Sequence, residues 1–300
     1  MNWILWILGI VAFLYFVVSF IIFSVFVSRS LSKGFVFRGK PKGEGKKDSS
    51  APDFDFEDVY IKADDGVKLH GYFVGGSDET KCVICVHGYS GDGRNMIPYA
   101  AHFGRMGYSV LAIDLRAHGQ SEGRYYGLSC LDSADILRWC DLVRQRCPRA
   151  EIALLGISMG AACSLMTAAK DKSGIIKCVI SDSAPSDFEK QFGRVWSWFI
   201  KLPMSLFLPA VRMWVRLLAK YSLTDASPLK NAQDIKCPVY IIHGADDRFV
   251  LPEMAEEIHR AINAPKELMI IPKATHTHSV DVDPARYWLE VDAFIKKHIG

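Results

Sequence analysis

Glu151-Ile152-Ala153-Leu154-Leu155-Gly156-Ile157-Ser158-Met159-Gly160 is the stretch on which the reading of this chain turns. Its apolar first half has the length and character of a short buried strand. Ala161, Ala162 and Cys163 open a helix-like segment that runs to Lys170. Ser158 therefore falls on a tight strand-to-helix turn, with Gly156 and Gly160 two positions to either side. Side chains at those two positions would collide with neighbouring chain. The turn pushes the serine hydroxyl clear of the strand and aims main-chain N–H groups at the same point, which is how a protein presents a nucleophile. At ordinary usage of about 7% each for glycine and serine, the bare spacing arises by chance in about one chain in ten of this length. The strand–helix setting, more than the spacing, gives the motif its weight.

Working outward, 300 residues hold one sizeable α/β domain with a full core. The net charge of +3 is close to balance, which argues against a nucleic-acid partner. Basic residues crowd one place, Arg29, Lys33, Arg38, Lys40, Lys42, Lys46 and Lys47, and Asp48, Asp53, Asp55, Glu57 and Asp58 follow. The eight cysteines fit a reducing compartment, several of them lying in apolar runs where cysteine is a small buried hydrophobe. Cys82 and Cys85 have redox or zinc spacing. On a strand, however, residues three apart face opposite sides of the sheet, and no second pair completes a site. No metal or organic cofactor is expected.

Trp3 to Val27 carries no charged side chain and is long enough to cross a hydrocarbon core of about 30 Å. Trp3 and Trp6 suit the headgroup level. A cleaved signal peptide fits less well, because there is no basic leader and no small-residue cleavage site, and the apolar run is too long. The expectation is a single-pass anchor over residues 1–28, a basic and acidic linker over 29–56, and a catalytic domain over 57–300. The basic cluster beyond the span places that domain in the cytoplasm by the positive-inside rule.

Strand and helix patterns alternate through the domain. Asp58–Ala63 and Val67–Val74 read as strands joined by the turn Asp64-Asp65-Gly66. Further strands are expected at Lys81–Val86, Tyr108–Ile113, the run before Ser158, Ile175–Ser181, Val239–His243 and Leu268–Ile271. Helices are expected at Asn95–Met106, Ser129–Arg146, Glu253–Ile262 and Pro284–Ile299. This pattern predicts a mostly parallel sheet of about eight strands with helices on both faces and an antiparallel hairpin at one edge. Residues 186–222 break the alternation. They are rich in Trp, Phe and Leu, are divided by Pro203 and Pro209, and read as a helical lid.

A serine nucleophile needs a base, a carboxylate to orient it and donors for an oxyanion. His276 and His278 are the candidate bases, in the loop after the last strand. Asp247 and Asp246 are the candidate carboxylates. Both pairs lie beyond the carboxyl ends of strands, where such sheets collect their sites. The main-chain N–H groups of Tyr89 and Met159 are the candidate oxyanion donors.

Five segments in order resemble the α/β-hydrolase superfamily, from about Glu57 to the C-terminus. They are His87-Gly88-Tyr89, Asp114-Leu115-Arg116-Ala117-His118-Gly119-Gln120-Ser121, the Gly156–Gly160 motif, His243-Gly244-x-x-Asp247-x-x-Val250, and His276 in the last loop. The second is similar to a loop of esterases and monoacylglycerol-lipase-like serine hydrolases, with Ala117-His118 in place of the usual glycine step. The resemblance selects Asp247 over Asp246 and His276 over His278, and gives the chain order Ser158, Asp247, His276. It implies a serine hydrolase of carboxylic esters or thioesters; the aromatic lid and the anchor suggest an apolar acyl group on a small-molecule or lipid-like substrate, and the first helix a membrane contact. A peptidase of the prolyl-oligopeptidase type shares the triad but has a large extra N-terminal region. A non-catalytic binding protein on the same fold would be expected to lack part of the triad.

Overall fold

The structure, a computed structural model, describes residues 2–29 and 54–299. Nearly all of the expected linker lies outside the described residues. In chain order the elements are α1 (Asn2–Val27), β1 (Glu57–Lys62), β2 (Lys68–Val74), β3 (Asp78–Val86), α2 (Ile97–Arg105), β4 (Tyr108–Ile113), α3 (Asp132–Arg146) and β5 (Glu151–Ile157). There follow α4 (Met159–Lys170), β6 (Ile176–Asp182), α5 (Phe188–Phe199), α6 (Leu208–Trp214), α7 (Pro228–Asn231), β7 (Val239–Gly244), α8 (Pro252–Ala261), β8 (Lys266–Ile271), α9 (Ser279–Val282) and α10 (Pro284–His298).

The strands form one eight-stranded sheet in the order β1-β2-β4-β3-β5-β6-β7-β8. β1 and β2 pair antiparallel, β2 pairs antiparallel with β4, and every other pairing is parallel. Gly66 makes the first hairpin possible: its φ of +85° is the left-handed conformation that favours glycine. The central strands are apolar on both faces because helices cover both. Cys82, Ile84, Val86, Ile152, Leu154, Val179 and Ile241 enter the core beneath α3 and α4. Val83, Cys85, Ala153, Leu155, Ile180 and Ile242 enter the core beneath α2 and α10. Cys82 and Cys85 accordingly lie on opposite faces. Trp139 from α3, 1% exposed, is among the largest side chains in the first core.

Several boundaries differ from the pattern reading. β3 starts at Asp78, three residues earlier than the apolar run, with an irregular register between Asp78 and Cys82. α3 starts at Asp132 because Leu128 and Ser129 have φ of +44° and +67°, which no helix accommodates.

α1 is long and apolar enough to cross a membrane. Its last turns nevertheless belong to the domain core. Ile22, Phe23, Phe26 and Val27 are buried in the same cluster as Ile152 and Leu154. The end of the helix is clamped by the chain. Tyr126 N donates to the Val27 carbonyl at 2.8 Å, and the Arg29 guanidinium donates to the carbonyls of Gly119 and Ser121 at 2.8 and 2.9 Å.

Candidate active site

Ser158 stands between β5 and α4 with φ +55° and ψ −117°, a strained conformation for a residue with a side chain. Two observations show why its neighbours are glycines. A Cβ on Gly156 would sit 2.3 Å from the Gly160 carbonyl oxygen, and a Cβ on Gly160 would sit 2.1 Å from that of Val86. β3, β5 and α4 meet here backbone to backbone. The Ser158 amide donates to the Asp182 carbonyl at 2.8 Å, which ties the turn to β6.

Ser158 Oγ lies 2.9 Å from His276 Nε2. His276 Nδ1 lies 2.7 Å from Asp247 Oδ2. The network fixes the tautomer: Nδ1–H donates to the carboxylate, and Nε2 accepts the serine hydroxyl. Asp247 Oδ1 accepts from the amides of Phe249 and Val250 at 2.8 and 2.9 Å, so its other oxygen points at the imidazole. Burial of Asp247 works to raise its pKa. The hydrogen bonds from His243 and His276 outweigh burial and hold the carboxyl well below its ordinary range. It remains ionised, able to orient the ring and to stabilise it when charged. Phe249 packs on the His276 ring, with centroids 4.8 Å apart.

The rival residues line the same open cleft but stand outside that line of hydrogen bonds. Asp246 is exposed, and among the described residues its amide donates to the Ala274 carbonyl. His278 is exposed and bonds Asp281 at 2.6 Å. The loop that carries His276 is shaped by Thr277, whose φ of +63° is costly for a β-branched residue.

His87 and Gly88 bring Tyr89 beside the serine. A Cβ on Gly88 would be 3.3 Å from Ser158 Cβ. His87 Nδ1 donates to the Gly88 carbonyl at 2.7 Å and Nε2 accepts from the Leu115 amide at 3.0 Å. Burial pushes the His87 pKa down, which keeps that ring neutral for both bonds. Met159 is the first residue of α4, so its amide lies at the positive end of that helix. The Asp114–Ser121 motif is a clasp. Asp114 accepts from the Gly93 and Gln120 amides at 2.6 and 2.8 Å, and Arg116 forks onto Asp135 at 3.0 and 2.9 Å.

Three features escaped the sequence reading. His243, fully buried, donates through Nε2 to the Val250 carbonyl at 2.9 Å, with Asp247 Oδ2 at 3.2 Å. Its fixed place four residues before Asp247 was the available signal. Asp182, buried at the end of β6, accepts from Ser183 Oγ at 2.8 Å and Ser279 Oγ at 3.3 Å, and burial raises its pKa. Phe26 reaches the site from α1. No sequence spacing announced that contact.

Two cavities share Ser158. A cleft of about 900 Å³ is lined by Tyr89, Trp198, Phe249 and His276 among others. A small apolar cavity of about 30 Å³ lies between Phe26, Met159, Phe188, Phe192 and Val195. Among the described residues no group of three or more His, Cys, Asp or Glu is arranged to hold a metal ion.

The profile of the Alpha/beta hydrolase family matches residues 83–288. The protein YqkD of Bacillus subtilis (strain 168), itself uncharacterized, is 27% identical over 231 residues, which are 77% of this chain and 76% of that protein. The acylamino-acid-releasing enzyme of Homo sapiens is 30% identical over 97 residues, which are 31% of this chain and 12% of that enzyme. The structure of the esterase Pf2001 of Pyrococcus furiosus matches with a TM-score of 0.67 at 28% identity, covering 82% of this chain and 94% of that one.

Proposed function

Because this chain belongs to the alpha/beta hydrolase family, we propose that it is a serine hydrolase of carboxylic esters or thioesters, with Ser158, His276 and Asp247 as its catalytic residues. One observation carries the reading: the unbroken hydrogen-bonded line from Ser158 Oγ through both ring nitrogens of His276 to a buried carboxylate. Ser158 Oγ attacks the acyl carbon as His276 Nε2 takes its proton. The Tyr89 and Met159 amides receive the developing oxyanion. The proton passes to the leaving alcohol or thiol, and the acyl group stays on Ser158. Water, deprotonated by the same imidazole, then releases the acid. No step draws on a metal or an organic cofactor. The small apolar cavity takes the acyl tail and the open cleft the leaving group. At about 30 Å³ the cavity holds about two water-sized groups, which favours short acyl chains. α1 anchors the chain in a membrane, and the basic residues after it keep the domain on the cytoplasmic side.

Fluorophosphonate labelling tests the assignment. The wild type is expected to label, and Ser158→Ala is not; equal labelling removes Ser158 as the nucleophile. A second reading, a serine peptidase, draws on the 97-residue likeness to the acylamino-acid-releasing enzyme. Turnover of p-nitrophenyl butyrate without cleavage of aminoacyl arylamides separates the two.

A further inference from the structure

α1 and the segment between β6 and β7 form one surface. Tyr15 stacks on Phe207 with centroids 5.8 Å apart, and Phe20 meets Trp214 edge-on at 5.3 Å. Trp214 Nε1 donates to Ser19 Oγ at 3.0 Å. The segment therefore grips the helix from Tyr15 onward. Ahead of Tyr15, every residue from Trp3 to Leu14 is exposed. Those twelve residues rise about 18 Å at 1.5 Å each. A hydrocarbon core is about 30 Å thick. The missing 12 Å or so, about eight residues of helix, has to come from the stretch that Phe207 and Trp214 already cover. Nothing charged on α1 obstructs this depth, since Trp3 to Val27 holds no ionisable side chain but Tyr15. The Ser19 hydroxyl donates to the Phe16 carbonyl.

The segment has the composition for such a position. Trp198, Leu202, Leu206 and Leu217 are 50–55% exposed, and residues 197–203 form an unbroken exposed run. An apolar surface of this extent on a soluble face marks an interaction site. Residues 186–220 contain six basic side chains against two acidic ones. Lys201, Arg216 and Lys220 are exposed, with stems long enough to keep their charges at the headgroups while the chain beside them is submerged.

We infer that residues 197–217 dock into a phospholipid leaflet alongside α1. Trp198 also lines the cleft that holds Ser158. The mouth of the site then lies at the bilayer surface, and substrate reaches Ser158 from the lipid phase. The inference rests on the reading of α1 as a membrane helix and is independent of the catalytic reading.

The test uses the full chain in vesicles of phosphatidylcholine and phosphatidylglycerol. An NBD fluorophore is placed on Leu202→Cys or Leu206→Cys. Lys172→Cys serves as the reference, in the loop between α4 and β6 at the amino end of β6, whereas Ser158 is bonded to Asp182 at the carboxyl end of that strand. The wild type, taken through the same labelling, reports the background from its native cysteines. Doxyl-labelled lipid is expected to quench the probes at 202 and 206 several-fold more than the probe at 172. Equal quenching at all three positions overturns the docking while leaving α1 as an anchor. A chain that fails to associate with vesicles overturns both. Strong quenching in a chain that hydrolyses no ester supports the docking and removes only the catalytic reading.

Discussion

The hydroxyl of Tyr89 donates a 2.8 Å hydrogen bond to the main-chain carbonyl of Phe26. The loop that carries the proposed oxyanion donor, the Tyr89 amide, is thereby tied to the last turn of α1. The Phe26 ring stacks on Phe192 with centroids 4.5 Å apart, and both rings wall the small cavity beside Ser158. The end of the N-terminal helix is therefore a wall of that cavity. Phe26→Leu shortens that wall and keeps much of its packing. Each methylene newly accommodated is worth about 0.8 kcal/mol, or about fourfold in kcat/KM. The ratio of p-nitrophenyl hexanoate to acetate turnover is expected to rise accordingly; an unchanged ratio removes Phe26 from the acyl subsite.

Asp247 and Asp246 are adjacent in sequence and opposite in setting. Asp247→Asn keeps the shape of the side chain but loses the carboxylate that selects the Nδ1–H tautomer of His276, so kcat is expected to fall about 10⁴-fold. Asp246→Asn, on an exposed side chain that lines the open cleft but stands outside the hydrogen-bonded line, is expected to keep kcat within about twofold of wild type, because changes on exposed side chains seldom cost more than about 0.5 kcal/mol. Steady-state kinetics on one ester substrate compares the two. Comparable losses in both variants would break the assignment.

Asp132 is a buried titrating group outside the reaction. Burial, and then the nearby Asp135, push its pKa up to about 7 from an ordinary 3.8. Its Oδ2 accepts from the Ser129 amide at 2.9 Å, while Oδ1 has no partner among the described residues. Between pH 3.8 and about 7 the native state holds a proton that the unfolded chain has lost. Stability from this group is present at the acid end and declines as pH rises through the window, by about 4 kcal/mol at most. Asp132→Asn removes that decline. Thermal unfolding between pH 5 and 8 is expected to show a flatter dependence in the variant, with a higher Tm than wild type at pH 8. Parallel curves would show that Asp132 is charged throughout.

The fold was legible because its signals are local. The Gly156–Gly160 turn needs glycines on any account of its backbone, and two-faced apolar runs such as Val83–Val86 and Ile152–Leu155 declare buried parallel strands. Ser158, Asp247 and His276 were legible because each follows a strand end, and the structure brings the three together. The role of the end of α1 was not legible. Phe20, Phe23 and Phe26 are equally apolar whether they face lipid or a protein core, and composition cannot separate those solvents. His243 was hidden for a related reason. A histidine that ends a buried strand reads as packing until its hydrogen-bond partner four residues on is seen.

That histidine supports the last expectation. His243 Nε2–H is shared between the Val250 carbonyl and the Asp247 carboxylate, and Val250 in turn donates its amide to Asp247 Oδ1. The three residues close a ring that fixes the carboxylate behind His276. His243→Ala leaves the buried Val250 carbonyl without a donor, at a cost of about 1–3 kcal/mol. It also removes one of the groups that hold Asp247, leaving the Phe249 and Val250 amides and His276 to orient the carboxylate. Since His243 itself lines neither cavity, kcat is expected to fall about tenfold or more with KM nearly unchanged, as for a loss confined to the transition state. His243→Gln restores a donor near Nε2 and is expected to recover part of the rate. If the alanine variant loses stability and keeps its kcat, His243 serves the core alone and Asp247 is held by the Phe249 and Val250 amides without it.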